Sequence, residues 1–380
     1  MANEMLFSAF PPATREQWEA VIQKELKDKA PDSLQVPVEG ESLSPFHMSG
    51  EGLEPGTRRR GVKRTGNTWR ATVEIGPWEE GANARLLEEL MGGIDGVHAT
   101  GDVMDRLPEM LQDVMLGAVD LQLASSTRGV LQWILDKAKE QGVPEQELSL
   151  FIPWPDANVA EVDALLRSYP RVRLSEVDDL QHGHSIPRLA IERGREQLRF
   201  LLGKGLRIDD ACARIQFKFK LGDDLFSEVA RLRAFREAWA AVVEEFKPQH
   251  DCSHNTWIQA VVVLDSARTD TPPYTNVIRA TLQAISAIVG GCDGLTIPTP
   301  KLPEGDVLAR RVVRNIHNLL RDESFLGRVA DPIGGSYTIE QLTTTMANAL
   351  TDRESASQPV AVTSRNVTLS AVDAAVEKQQ

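Results

Sequence analysis

From Trp69 onward the chain repeats one unit: a short apolar run, then a longer stretch with helical periodicity. The apolar runs are Gly96–Ala99, Ala118–Ala124, Leu148–Ile152, Arg171–Leu174, Ile215–Leu221, Trp257–Leu264 and Gly294–Ile297. An eighth is expected near Arg328–Ala330, and Trp69–Ile75, ahead of the series, alternates as a strand would. Runs this short, bounded by turns, suit strands buried on both faces. Eight strand–helix units that close on themselves make a TIM-type (β/α)8 barrel. A doubly wound open sheet is the alternative, because periodicity does not distinguish a closed ring from an open edge.

The helical stretches carry clear apolar stripes. Leu225–Phe246 aligns Val229, Leu232, Phe235, Trp239, Val242 and Phe246 at spacings of three and four. Tyr274–Val289 aligns Ile278, Leu282, Ile285 and Val289 and stops at Gly290-Gly291. A third helix is expected from an Asp306 N-cap through Leu308, Val312, Ile316 and Leu319. Residues 1–68 read as an N-terminal arm and linker: Phe10-Pro11-Pro12 gives an extended lead, and Thr14 and Gln17 have capping-box spacing for a helix over about 14–28. The barrel is expected over 69–350. Residues 351–380, rich in Ser, Thr, Val, Ala and Gln, read as a loose tail. Asp331-Pro332-Ile333-Gly334-Gly335-Ser336-Tyr337 falls where the last strand would turn into the last helix, so it is expected to be a tight turn closing the barrel, with Ser336 placed to cap that helix.

The formal net charge of −13 argues against a nucleic-acid role, since phosphate binding needs a field of Lys and Arg. The one basic cluster, Arg58-Arg59-Arg60-Gly61-Val62-Lys63-Arg64, suits a solvated linker or a phosphate contact to a nucleotide-tailed ligand. Cys212, Cys252 and Cys292 match no metal or redox spacing, and their odd number suits a reducing compartment. No signal-peptide layout is present, and no apolar run approaches the roughly 20 residues that cross a bilayer. A cytoplasmic protein with no membrane partner is expected.

Barrel chemistry belongs at the carboxyl ends of the strands. There the sequence offers Asp178, Asp179, His182 and His184, then Asp265, Ser266, Arg268 and Asp270. His182 suits a surface loop or a substrate contact; no third ligand stands at a persuasive spacing for a metal. Arg268 suits a carboxylate or phosphate clamp, or pairing with Asp265 or Asp270 beside it. There is no P-loop, dinucleotide fingerprint or nucleophile elbow.

Three segments are more specific. Ala309-Arg310-Arg311-Val312-Val313-Arg314-Asn315, then Glu323-Ser324, then Asp331–Thr343 resemble the ARxxRN…ES…DPxGGSYxxExLT series of the methylmalonyl-CoA mutase family. Pro273–Arg279 through Gly290-Gly291 is similar to its PYxNxxR…GG helix, and Glu228–Ala234 to its EIAKLRAAR helix. Leu6–Pro12 with Trp18-Glu19 resembles the start of the small subunits of heterodimeric members. The resemblance implies a CoA-threaded TIM barrel that works with adenosylcobalamin, whose cobalt–carbon bond supplies a radical that rearranges an acyl-CoA.

The departures from that pattern carry as much as the matches. The sequence shows no D-x-H-x-x-G motif, so no cobalamin-binding flavodoxin-like domain is expected. The family's Tyr-His pair corresponds to Gln181-His182. Its R-x-H-x-Q-T-S-G-W stretch corresponds to Leu264–Pro272, and its TNxxDEA loop to Ile297–Pro303. The resemblance therefore implies a small subunit without catalytic residues of its own, with His182, Arg268 and Tyr274 as a vestigial substrate pocket. The chain would bind no cofactor alone and would pair with a large catalytic subunit that holds adenosylcobalamin. The alternatives are the catalytic barrel of a split acyl-CoA mutase, served by a separate cobalamin-binding protein, and a barrel that senses CoA esters.

Overall fold

The computed structural model describes residues 13–44 apart from 28, 39 and 40, residue 64, and residues 66–351 apart from 77–78, 102–104, 126–127, 155–158, 179, 182–183, 186, 265–271 and 273. Nine short strands form one parallel sheet. Two of them, Val172–Arg173 and Ser175–Asp178, are consecutive in the chain and separated only by Leu174. The first pairs back to Ser149–Phe151 and the second forward to Ile215–Lys220. Counted as one interrupted strand, they make the ring eight-stranded: β1 Arg70–Ile75, β2 Gly96–Ala99, β3 Asp120–Leu123, β4 Ser149–Phe151, β5 Val172–Asp178, β6 Ile215–Lys220, β7 Trp257–Val261 and β8 Gly294–Thr296. β8 pairs with β1, so the sheet is a TIM-type barrel rather than the open alternative.

That closure corrects the expected strand count. Trp69–Ile75 is not a prelude to the barrel but supplies its first strand, and no strand forms near Arg328–Ala330, where the chain bends. The Asp331–Tyr337 turn therefore does not close the barrel. The ring is closed by the β8–β1 ladder, led by Arg70 N–H donating to the Asp293 carbonyl at 2.8 Å.

Alternation along each strand sorts the side chains into two cores. Phe217 and Phe219 of β6 point outward and meet Phe235 and Trp239 of α8 (Leu225–Glu245) edge to face, with centroids 4.6–4.7 Å apart. Val97, Leu121, Leu123 and Leu150 face the helices on the other side of the ring. The α8 stripe expected from the sequence is present, as is the helix at Thr275–Val289 (α9). The third expected helix, α10 (Asp306–Asn318), begins one residue earlier than expected: Gly305, at φ 92°, holds the cap position and Asp306 is the first helical residue. The final helix, α11 (Tyr337–Thr351), packs on α8.

The arm helix α1 (Arg15–Leu26) forms as expected. Thr14 Oγ1 accepts from Gln17 N–H at 3.3 Å, and Gln17 Oε1 accepts from Thr14 N–H at 3.0 Å. None of its residues is buried.

His317 of α10 is fully buried behind the start of β1, where its Nδ1 accepts from the Trp69 indole at 3.2 Å. Burial, with Arg321 nearby, holds its pKa down to about 3. In the unfolded chain the same imidazole takes a proton near 6.5. Between those values the unfolded state binds more protons, so stability is complete above pH ~6.5 and falls below it, by up to about 1.4 kcal/mol per pH unit. His317→Gln keeps an acceptor for the indole. It is expected to flatten the acid limb of unfolding free energy plotted against pH. An unchanged slope would assign that limb to other groups.

Candidate functional site

At the carboxyl ends of the strands the interior side chains are Glu74, His98, Glu176 and Lys218. Glu176 accepts from Gln216 Nε2 at 2.7 Å and from Lys218 Nζ at 3.3 Å. His98 Nδ1 lies 3.5 Å from Glu74. The hydrogen bond to His98 and the charge of Lys218 outweigh burial and hold the Glu74 carboxyl below its usual range.

One layer down, side chains meet across the axis. Gln122 of β3 donates from Nε2 to Oε1 of Gln259 on β7, the opposite strand of the ring, at 2.8 Å. Gln259 Nε2 donates to Thr296 of β8 at 3.0 Å, and Gln122 also donates to Asp120 at 2.8 Å. Asp120 accepts from Ser149 Oγ at 2.6 Å and pairs with Arg173. Asp120, Gln122, Gln259, Ser149, Thr72, Thr296 and Arg173 are all buried. Two glycines make this layer possible: a Cβ at Gly294 would stand 2.0 Å from Gln259 Oε1, and one at Gly96 would stand 2.5 Å from Thr72 Oγ1. Polar side chains bonded to one another therefore fill the barrel axis.

Below the plug, at the amino-terminal mouth, lies a cavity of about 580 Å³ lined by Arg64, Arg70, Arg171, Arg173, Trp257 and Asp293 among others. Arg64, the described residue of the basic run, is spent on Asp293 at 2.9 Å and on the Cys292 carbonyl at 3.1 Å. Arg236 of α8 grips the same aspartate at 2.6 Å. Burial raises the Asp293 carboxyl, but the two arginines more than offset it and hold it below its ordinary range. Burial pushes the thiols of Cys212 and Cys292 up to about 12, so neither is a nucleophile.

Of the three residues expected to form a pocket, the described structure contains only Tyr274. His182 and Arg268 lie outside the described residues. Tyr274 stands on the rim before α9, 47% exposed, with its hydroxyl donating to the Glu304 carboxylate. The turn residues have a defined job. Asp331, at φ 48°, and Glu340 both accept from the guanidinium of Arg233, at 2.9 and 2.7 Å, and Thr343 Oγ1 accepts at 2.8 Å. Gly335, at φ 88°, donates its N–H to Glu340 at 2.9 Å; Gly334 lies so close that a Cβ there would stand 2.7 Å from Asp331 Oδ2. Ser336 immediately precedes α11, and Tyr337 opens it. The Asp, Glu and Thr of the DPIGGSY series thus meet one arginine of the Glu228–Ala234 series, which ties α11 to α8.

The sequence reading missed the plug and the Glu74–His98–Lys218 layer. Their signal was present: Gln122 stands between Leu121 and Leu123, Gln259 between Ile258 and Ala260, and Lys218 between Phe217 and Phe219. A polar residue between two outward apolar ones in a barrel strand faces the axis.

The methylmalonyl-CoA mutase pattern matches residues 188–355, which include Arg233 and all three of its partners. Over that stretch the chain resembles the methylmalonyl-CoA mutase family, and relatives carrying that name match about 90% of the chain. It is 30% identical over 402 residues to the methylmalonyl-CoA mutase small subunit of Streptomyces virginiae, covering 91% of this chain and 64% of that one. The small subunit of Propionibacterium freudenreichii subsp. shermanii is 28% identical over 393 residues, covering 90% and 61%. The human mitochondrial methylmalonyl-CoA mutase is 24% identical over 417 residues, covering 88% and 53%. The chain thus spans less than two thirds of the length of these relatives. Among solved structures, a dihydropteroate synthase of Xanthomonas albilineans aligns at 14% identity over 69% of this chain and 95% of its own, with a TM-score of 0.38, too low to bear on function. Among the described residues no group of His, Cys, Asp and Glu could hold a metal, and no helix is long and apolar enough to cross a membrane.

Proposed function

We propose that this chain is the small subunit of a heterodimeric methylmalonyl-CoA mutase of the cytoplasm. It stabilises a large subunit that holds adenosylcobalamin and interconverts methylmalonyl-CoA and succinyl-CoA. The Gln122–Gln259 bond across the axis carries this reading. A pantetheine chain threading the barrel would have to displace a buried network in which each member already has a protein partner. The described residues accordingly do not fit adenosylcobalamin chemistry on a threaded acyl chain, and no step is assigned to them. The arm supports a partner: Trp18, Val21, Ile22 and Leu26 share a face of α1, yet none is buried against this chain.

The test is co-expression with a tagged, cobalamin-binding large subunit. The expected result is a stable one-to-one complex, with turnover lost when this chain is omitted. A monomer that ignores the large subunit would overturn the proposal. Mixing the chain instead with a separate cobalamin-domain protein, adenosylcobalamin and methylmalonyl-CoA should give no cob(II)alamin absorbance; its appearance would establish the split-enzyme alternative.

A further inference from the structure

We propose that the seam between the helix Ala82–Met91 and α10 holds a binding site for a small aliphatic carboxylate, with Arg310 as its anion clamp. A cavity of about 370 Å³ opens there, between the end of β1 and the loop after β8. Arg310 and Arg314 both belong to the Ala309–Asn315 series, but only Arg314 has a clear structural task. Its Nη1 donates to Glu89 at 3.1 Å, and its side chain lies so close to Gly92 that a Cβ there would stand 2.3 Å from it. Arg310 lines the cavity, and its side chain is 26% exposed. Its guanidinium makes no hydrogen bond to any described residue, and its one ion pair leaves Nε 3.8 Å from Glu89. Its N–H donors therefore remain for a guest, in the planar fork that matches a carboxylate.

The lining of the cavity selects the guest. Among the described residues three arginines and three glutamates line it, and the glutamates are already engaged. Glu89, 3% exposed, accepts from Arg314. Glu79 accepts from Gly76 N–H at 2.8 Å and pairs with Arg85. Glu74 lies 3.5 Å from His98. Arg310 is thus the lining cation left without a hydrogen-bonded acceptor, so a guest that completes the set carries a negative charge. Val73, Ile94, Ile297, Pro298 and Val313 supply apolar wall. A bare phosphate would leave that wall uncovered, whereas a short alkyl chain would cover it. The exposed Thr299 lines the same cavity with a hydroxyl that bonds no described residue. The site is assigned binding and no reaction. It does not rest on the small-subunit reading: the isolated chain is expected to bind.

Calorimetry and ligand-observed NMR on the full chain test this with butyrate, with butyramide, which keeps the alkyl chain and lacks the charge, and with inorganic phosphate, which has charge and no chain. Butyrate is expected to bind at millimolar concentration or below, with butyramide and phosphate at least about tenfold weaker. Arg310→Gln should weaken butyrate binding about tenfold or more, and Arg310→Lys less, because a point charge replaces the fork. Arg311→Gln removes an exposed charge from the same helix, outside the cavity lining, and should leave binding unchanged. Should Arg310→Gln fail to fold, Arg310→Lys and the comparison of the three probes decide the matter. No butyrate binding at about 10 mM, equal binding of butyramide or phosphate, or a loss in Arg311→Gln that matches the loss in Arg310→Gln overturns the proposal.

Discussion

Arg233→Met is expected to lower the unfolding free energy by about 3–5 kcal/mol, read from urea denaturation followed by tryptophan fluorescence. Arg233 is buried in the middle of α8, yet its guanidinium bonds Asp331, Glu340 and Thr343 together. Burial alone would favour loss of its charge, but the bonds to Asp331 and Glu340 prevail and hold the guanidinium more firmly protonated than usual. Removing it takes one shared positive charge away from both carboxylates, so their mutual repulsion and desolvation are less well offset. The triple variant Arg233→Met, Asp331→Asn, Glu340→Gln removes that repulsion and should recover a good part of the loss. If Arg233→Met alone costs under about 1 kcal/mol, as a solvent-screened surface pair would, then the turn does not depend on this arginine.

Asp120→Ala should be comparably severe, at about 3–5 kcal/mol, by the same measurement. Asp120 is completely buried on the barrel axis and, among the described residues, is the only carboxylate paired with Arg173. It also accepts from Ser149 and Gln122, so its loss leaves a buried guanidinium and two polar neighbours short of an acceptor. A double variant, Asp120→Leu with Arg173→Met, replaces the pair by apolar groups and is expected to be more stable than either single change. Strict additivity of the two would mean that the pair does not act as a unit. Loosening this layer should also loosen the Gln122–Gln259 bond, because Gln122 is anchored on Asp120.

The two predictions mark different degrees of legibility in the sequence. The α8 stripe and the outward residues of the strands were readable because their cause is local: a fixed period turns one face toward the core. The DPIGGSY series was readable as a motif and as a tight turn, and its glycines do occupy positions where backbone or carboxylate comes close. Its role was misplaced. Position in the chain suggested the last strand, whereas Asp331 is bonded to an arginine 98 residues earlier. Of the expected pocket, only Tyr274 lies within the described residues. Tyr274 was assigned by resemblance to a pocket, but its hydroxyl finds Glu304 on the rim.

By itself the sequence determined the repeating strand–helix units, the capped arm helix, the apolar faces and the family resemblance. All of these depend on neighbours within a few turns of the chain or on strings of residues that can be compared directly. Tertiary structure alone decided that Trp69–Ile75 opens the ring, that β8 closes it, and that the axis is filled. Gln122 and Gln259 are 137 residues apart and come within hydrogen-bonding distance only because closing eight strands sets them on opposite walls of a narrow barrel. Once closure has taken those side chains out of water, each must find a partner inside, and the polar plug is the arrangement that satisfies them.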